Sequence, residues 1–241
     1  MRRSHALFGR VPRDHWETPA AFRRRRRVVA ATAVAGAGLL GASLSTRPGS
    51  SRFYALTAAT AATWIGGGVA SGPLHLGRSF GRGDRLRRPA LTPAALGVAA
   101  FAPFYAGALV CRRIPPMKRM LTSVLAYAHQ GSGLAVAATT LVNGAAEEVF
   151  FRGALYAAHA GPTPVLASTG TYVLATAATR NPMLVLASAI MGTLFGIQRR
   201  ATGGIQAPLI THLVWSALML RFLPPLFPPQ PVVSAGDWRD D

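Results

Sequence analysis

The sequence predicts an all-α protein, a polytopic transmembrane bundle of about eight helices. Three observations carry that expectation. Half of the 241 residues are hydrophobic, and the mean hydropathy is +0.28. Only 14% are charged, where a soluble domain carries about a quarter. The apolar residues also fall into long runs separated by short basic or Pro/Gly-containing breaks, which is the layout of successive helices across a bilayer.

The net charge of +18 first suggests nucleic acid as a partner. The arginines, however, lie at the ends of the apolar runs, where they favour anionic headgroups and set topology. Membrane lipid is therefore an expected partner, and nucleic acid is not. Lys118 is the only lysine among 26 basic residues, and Ala and Gly are abundant. That composition suggests a GC-rich genome and a bacterial cytoplasmic membrane. The single cysteine, Cys111, excludes an intramolecular disulfide and a cysteine-based zinc site.

Taken in order, residues 1–27 form an arginine-rich arm ending in Arg23-Arg24-Arg25-Arg26-Arg27, cytoplasmic by the positive-inside rule. The run 28–45 reads as a retained first span rather than a cleaved signal, because many further apolar runs follow. Residues 53–74 are the second span; Gly66-Gly67-Gly68 within it suits close helix packing. An arginine-rich loop, 77–89, leads to the third span, 91–111, and a basic loop with Pro115-Pro116 to the fourth, 120–141. The remaining spans are 144–159, 164–179, 183–198 and 205–222, after which Pro224, Pro225, Pro228, Pro229 and Pro231 prevent a helix. The expected organisation is thus the arm, N-terminal helices over 28–140, a core over 141–222 and a proline-rich tail over 223–241. Eight spans would bring the C-terminus back to the side of the arm. The fifth to seventh runs are short for a hydrocarbon core of ~30 Å. Short helices suit a thinned site that admits water.

The acidic residues locate the chemistry. There are eight, and six lie in the arm, a loop or the last five positions. Only Glu147 and Glu148 sit inside an apolar run, and an ionisable residue within a membrane is a functional-site hypothesis by default. On a helix Glu148 and Arg152 share a face and can pair. Glu147 is rotated by ~100° and cannot share that geometry. A carboxylate left without a cation suits a general base. The competing reading is that Glu147, Glu148 and Arg152 form one buried ionic cluster holding helices together. His212, mid-run in 205–222, is the best-placed second polar group, able to orient water, stabilise an oxyanion or bridge helices. His129, in the fourth run, is read as either a structural or a site-lining histidine.

Glu147-Glu148-Val149-Phe150-Phe151-Arg152, followed by His212-Leu213-Val214-Trp215-Ser216, resembles the CPBP family. These are the CAAX prenyl proteases and bacteriocin-processing (Abi-like) intramembrane glutamic endopeptidases, with EExxxR, FxxxH and HxxxN/D helices. The resemblance covers roughly 141–220. It implies an intramembrane endopeptidase in which Glu147 activates a water for attack on a scissile carbonyl. Glu148 and Arg152 would be the supporting pair and His212 an oxyanion or water ligand. The substrate would be a membrane-associated peptide or protein. No cofactor is expected. Metal dependence has been proposed for such enzymes, but one carboxylate and one histidine make a poor zinc site. Two motif positions depart from the pattern. Tyr172 through Thr176 is the best match for FxxxH, keeping the aromatic but replacing histidine with threonine, and Ser216 stands for asparagine. Phe195-Gly196-Ile197-Gln198-Arg199 is a second, less well-placed aromatic match. Loss of one oxyanion donor costs about 10²–10³ in rate. His129 or another group would then compensate; the alternative is a catalytically weak or inactive member that binds a membrane partner.

Overall fold

A computed structural model describes residues 16–80, 85–159 and 161–228. Most of the predicted arm and of the proline-rich tail lie outside these residues. The described chain is a bundle of eight α-helices with one two-residue hairpin, in which Ser79 pairs with Arg87 and Phe80 with Leu86.

Helix α1, Pro19–Ser43, starts at Thr18, whose side chain accepts from the Ala21 N–H, with proline in the first turn. The five-arginine run therefore belongs to α1 and not to an arm. Arg25 departs further from a headgroup-facing role, because it is fully buried. It pairs with Glu17 and donates to Ser71 Oγ and to the Pro73 carbonyl, each at 3.1 Å. These bonds fasten the start of α1 to the end of α2, Ser51–Ala70. Small residues let the two helices approach closely. A Cβ on Gly36 would collide with the Trp64 ring, and one on Gly67 with the Thr32 side chain. Helix α3, Leu91–Cys111, packs on α8, Gln206–Phe222, in the same way. There a Cβ on Gly97 would lie 2.8 Å from Thr211 O and Val214 Cβ.

The predicted fourth span, 120–141, is not one helix. Helix α4, Pro115–His129, stops at Gln130, and a new helix α5, Gly133–Glu147, starts from Ser132, whose side chain caps Ala135 N. The glycines and the N-capping serine of Gly131-Ser132-Gly133 outweigh the apolar continuity on which the span was predicted. None of the residues of α4 is fully buried. Its bonds all run to one end of the bundle. The Tyr127 hydroxyl lies 2.7 Å from both Leu44 O and Thr46 O, which share its single proton, Asn181 Nδ2 donates to Met120 O at 2.9 Å, and His129 Nε2 lies 3.0 Å from Phe227 O. Helix α4 therefore lies at one end and does not reverse the direction of the chain.

The remaining helices alternate: α1, α2, α3, α5 with its extension to Leu155, α6 (Pro164–Ala177), α7 (Pro182–Thr202) and α8. Gly203, at φ 72°, ends α7 in the left-handed conformation that glycine adopts freely. The start of α1 shares its end of the bundle with the turn between α7 and α8, which bonds residues 75–78 through Ile205 N to His75 O and Arg78 N to Thr202 O. With seven alternating helices rather than eight spans, α8 finishes at the opposite end from the start of α1. Among the described residues, four helices are long and apolar enough to cross a membrane: Leu91–Cys111, Gly133–Leu155, Pro182–Thr202 and Gln206–Leu226. The protein is an integral membrane helix bundle.

The main core lies between α1, α2 and the end of α5. Trp64, fully buried, stacks on Phe150 at 4.6 Å between centroids and meets Phe151 at 5.0 Å. The α3–α8 contact yields a first prediction. Gly97→Val should destabilise the protein by about 1–3 kcal/mol, the cost of overpacking. It would be read as a lower unfolding temperature in detergent; an unchanged melt would show that α3 does not need this approach.

Candidate active site

The motif helix changes character at the glutamates. Residues Glu148–Leu155 continue α5 as a π-helix. Such turns widen the backbone and are frequent at functional sites. Two backbone carbonyls here find donors on other helices. Phe151 O accepts from Ser168 Oγ at 2.8 Å, and Arg152 O from Arg199 Nε at 2.7 Å. Helices α6 and α7 thus clamp the widened turn that carries the site.

Glu148 is fully buried and uses one oxygen twice: Oε1 accepts from Arg152 Nη1 at 3.1 Å and lies 2.9 Å from His212 Nδ1. A carboxylate only accepts, so the proton of that second bond resides on Nδ1. The His212 ring stacks on Phe195 at 4.7 Å, and its Nε2 lies 3.4 Å from where a Gly144 Cβ would stand. The absent side chain at Gly144 lets the imidazole lie close to α5. Arg152, also fully buried, sits 4.6 Å from the Tyr172 ring centroid and 5.0 Å from that of Phe195, and both contacts favour a desolvated cation.

Glu147 differs from its neighbour. It is only partly buried, and Oε2 accepts from the Tyr172 O–H at 2.6 Å. Its Oε1 accepts no hydrogen bond among the described residues. Electrostatically it interacts with His212, Glu148 and Arg152.

The structure therefore brings together Glu147, Glu148, Arg152, Tyr172 and His212. Thr176 is buried, and its hydroxyl donates to the Tyr172 carbonyl at 2.9 Å, one turn back on its own helix. Ser216 is buried on α8, one turn past His212. His129 is not brought to the site. It ends α4 at the far end of the bundle, and the fifteen residues of α5, Gly133–Glu147, place the glutamates about 21 Å along that helix. Sequence reasoning missed the part played by Phe195, Gly144 and Ser168. Phe195 carried a signal as the second aromatic match, and Gly144 as a small residue one turn before the glutamates. The interhelical bond of Ser168 leaves no mark in sequence. Among the described residues, no group of three or more His, Cys, Asp or Glu side chains is placed to hold a metal ion.

Residues 129–218 match the family model described as type II CAAX prenyl endopeptidase Rce1-like. Over these residues the chain is similar to the CAAX-protease family. The match is less than half of the chain, and it spans every residue of the site from Gly144 to Ser216. The matched family is one of proteases, and the geometry above lies within the segment that resembles it. No curated protein and no solved structure matches the chain. Helices α1–α3 lie outside the matched CAAX-protease segment, although α2 supplies Trp64 behind the motif helix.

The buried cluster generates a second prediction. Arg152→Met leaves Glu148 short of its cation and should cost about 3–5 kcal/mol. Glu148→Met/Arg152→Met should recover part of that loss, because no unpaired charge then remains. A double-mutant cycle on unfolding temperature checks this; additive losses would show that the two residues do not act as a pair.

Proposed function

We propose that the protein is an intramembrane endopeptidase of the glutamate type, hydrolysing a peptide bond in a membrane-associated protein or peptide. The observation that carries this reading is the unlike environment of two adjacent carboxylates. Glu148 is fully buried and its Oε1 is engaged by Arg152 and His212, whereas Glu147 is partly exposed and keeps Oε1 open. Pairs of acids held in different environments take different chemical roles.

In this reading Glu147 Oε1 takes a proton from water as the oxygen attacks the scissile carbonyl. The tetrahedral intermediate collapses as that proton passes to the leaving nitrogen, giving a carboxylic acid and an amine. Glu148 and Arg152 keep the widened turn in register. The Nδ1 of His212 is taken up by Glu148, which leaves Nε2 to hold the water. Membrane lipid surrounds the bundle and no cofactor takes part. The end of the bundle that carries Arg23 to Arg27 is the cytoplasmic one by the positive-inside rule, in a bacterial cytoplasmic membrane.

A second reading has its own support. Thr176, at the position of the motif histidine, spends its hydroxyl on the backbone. A protein lacking that polar group would bind a membrane partner without cutting it. The two readings separate on Glu147→Gln. Membrane-protein fragments are compared by N-terminal peptide mapping in cells carrying wild-type or variant protein at equal abundance. Loss of a general base costs about 10²–10⁴ in rate, so a set of fragments should disappear. An identical fragment pattern would overturn the protease reading in favour of the binding one.

A further inference from the structure

The motif position that lost its histidine lies one turn from a residue that gained a hydroxyl. Where the FxxxH pattern has phenylalanine, this chain has Tyr172, and its O–H donates to Glu147 at 2.6 Å. The ring that carries the hydroxyl is closely held. Arg152 lies 4.6 Å from its centroid, the Phe151 ring 4.7 Å, and a Cβ on Gly192 would stand 3.2 Å from Cδ1. The carbonyl of the same residue is tied down by Thr176. A circuit results: Glu147 to the Tyr172 hydroxyl, the Tyr172 ring to Arg152, Arg152 to Glu148, and Glu148 to His212. His129, the other candidate for compensation, bonds Phe227 at the far end of the bundle.

We propose that Tyr172 is the positioning residue that compensates for Thr176: its hydroxyl holds Oε2 of Glu147 so that Oε1 faces the attacking water. The proposal rests on the protease reading above. A cation at the ring face strengthens the phenol as a donor by drawing charge from it. A carboxylate anchored through one oxygen gives up rotational freedom before substrate arrives, and misplacement of a reacting group by about 1 Å costs about 10²-fold.

The test uses the full chain in membranes, with Tyr172→Phe, Glu147→Gln and Tyr172→Phe/Thr176→His. Tyr172→Phe keeps the ring over Arg152 and removes one oxygen. The fragments that depend on Glu147 should form about 10²-fold more slowly in Tyr172→Phe. They should recover at least tenfold in the double variant, to about a tenth of the wild-type rate, because it rebuilds the aromatic–histidine pattern. The carboxylate stretching band of Glu147, assigned by infrared difference against Glu147→Gln, should shift in Tyr172→Phe at constant pH. Full activity in Tyr172→Phe, an unmoved band, or a double variant as slow as the single one would each overturn the proposal while leaving Glu147 as the base. If Glu147→Gln itself leaves the fragments unchanged, the protease reading fails, and this proposal fails with it.

Discussion

The Glu148 carboxylate has no exposed surface, yet it lies in the middle of an apolar bundle. Removing an isolated charge from water costs several kcal/mol, so its retention requires partners. One oxygen meets Arg152 on the same helix and His212 on α8. That shared oxygen joins the widened turn of the motif helix to the last helix of the bundle. Much of the surrounding packing keeps the three groups together: Phe195 against the imidazole, the Tyr172 and Phe195 rings against the guanidinium, and Trp64 behind Phe150 and Phe151.

The same constraint releases Glu147. A helix cannot direct two successive side chains at one partner, so once Glu148 faces inward Glu147 faces elsewhere. It reaches the Tyr172 hydroxyl and retains an open oxygen in a partly exposed position. A fully buried acid and a partly exposed one thus stand side by side on the same helix. The π-helix adds to this by freeing carbonyls that Ser168 and Arg199 occupy, which binds α6 and α7 to the turn.

Outside the matched segment, α1 and α2 act as a brace. Their small residues bring the backbones close, and the buried Arg25 locks one end through Glu17, Ser71 and Pro73. An arginine that composition assigns to lipid headgroups is instead an internal fastener. At the other end α4 forms a lid-like layer tied to α1, α7 and the segment after α8. Because α4 does not cross, the motif helix begins at Gly133 and has 23 residues, enough to span the membrane. The expectation of a short fifth helix in a thinned bilayer is therefore replaced by a full-length helix with a widened turn.

The sequence by itself determined the class of the protein: long apolar runs with basic ends specify membrane helices, and Glu147 and Glu148 are marked because no other acids lie in such a run. The four-residue interval between Glu148 and Arg152 was legible too, since it follows from helical periodicity. These features are local, carried by neighbours within a turn or two. Only the tertiary structure decided that His212 bonds Glu148 and not Glu147, that Thr176 turns back on its own helix, that His129 lies at the far end, and that the Tyr172 hydroxyl meets Glu147. Each depends on how closely separate helices approach and at what rotation, and that is set by small residues such as Gly144 and Gly192 and by packing around Trp64. The break at Gly131-Ser132-Gly133 lay between these cases. Its signals are local, but the apolar residues on either side mask them, and the Ser132 cap on Ala135 N is what divides the run into two helices.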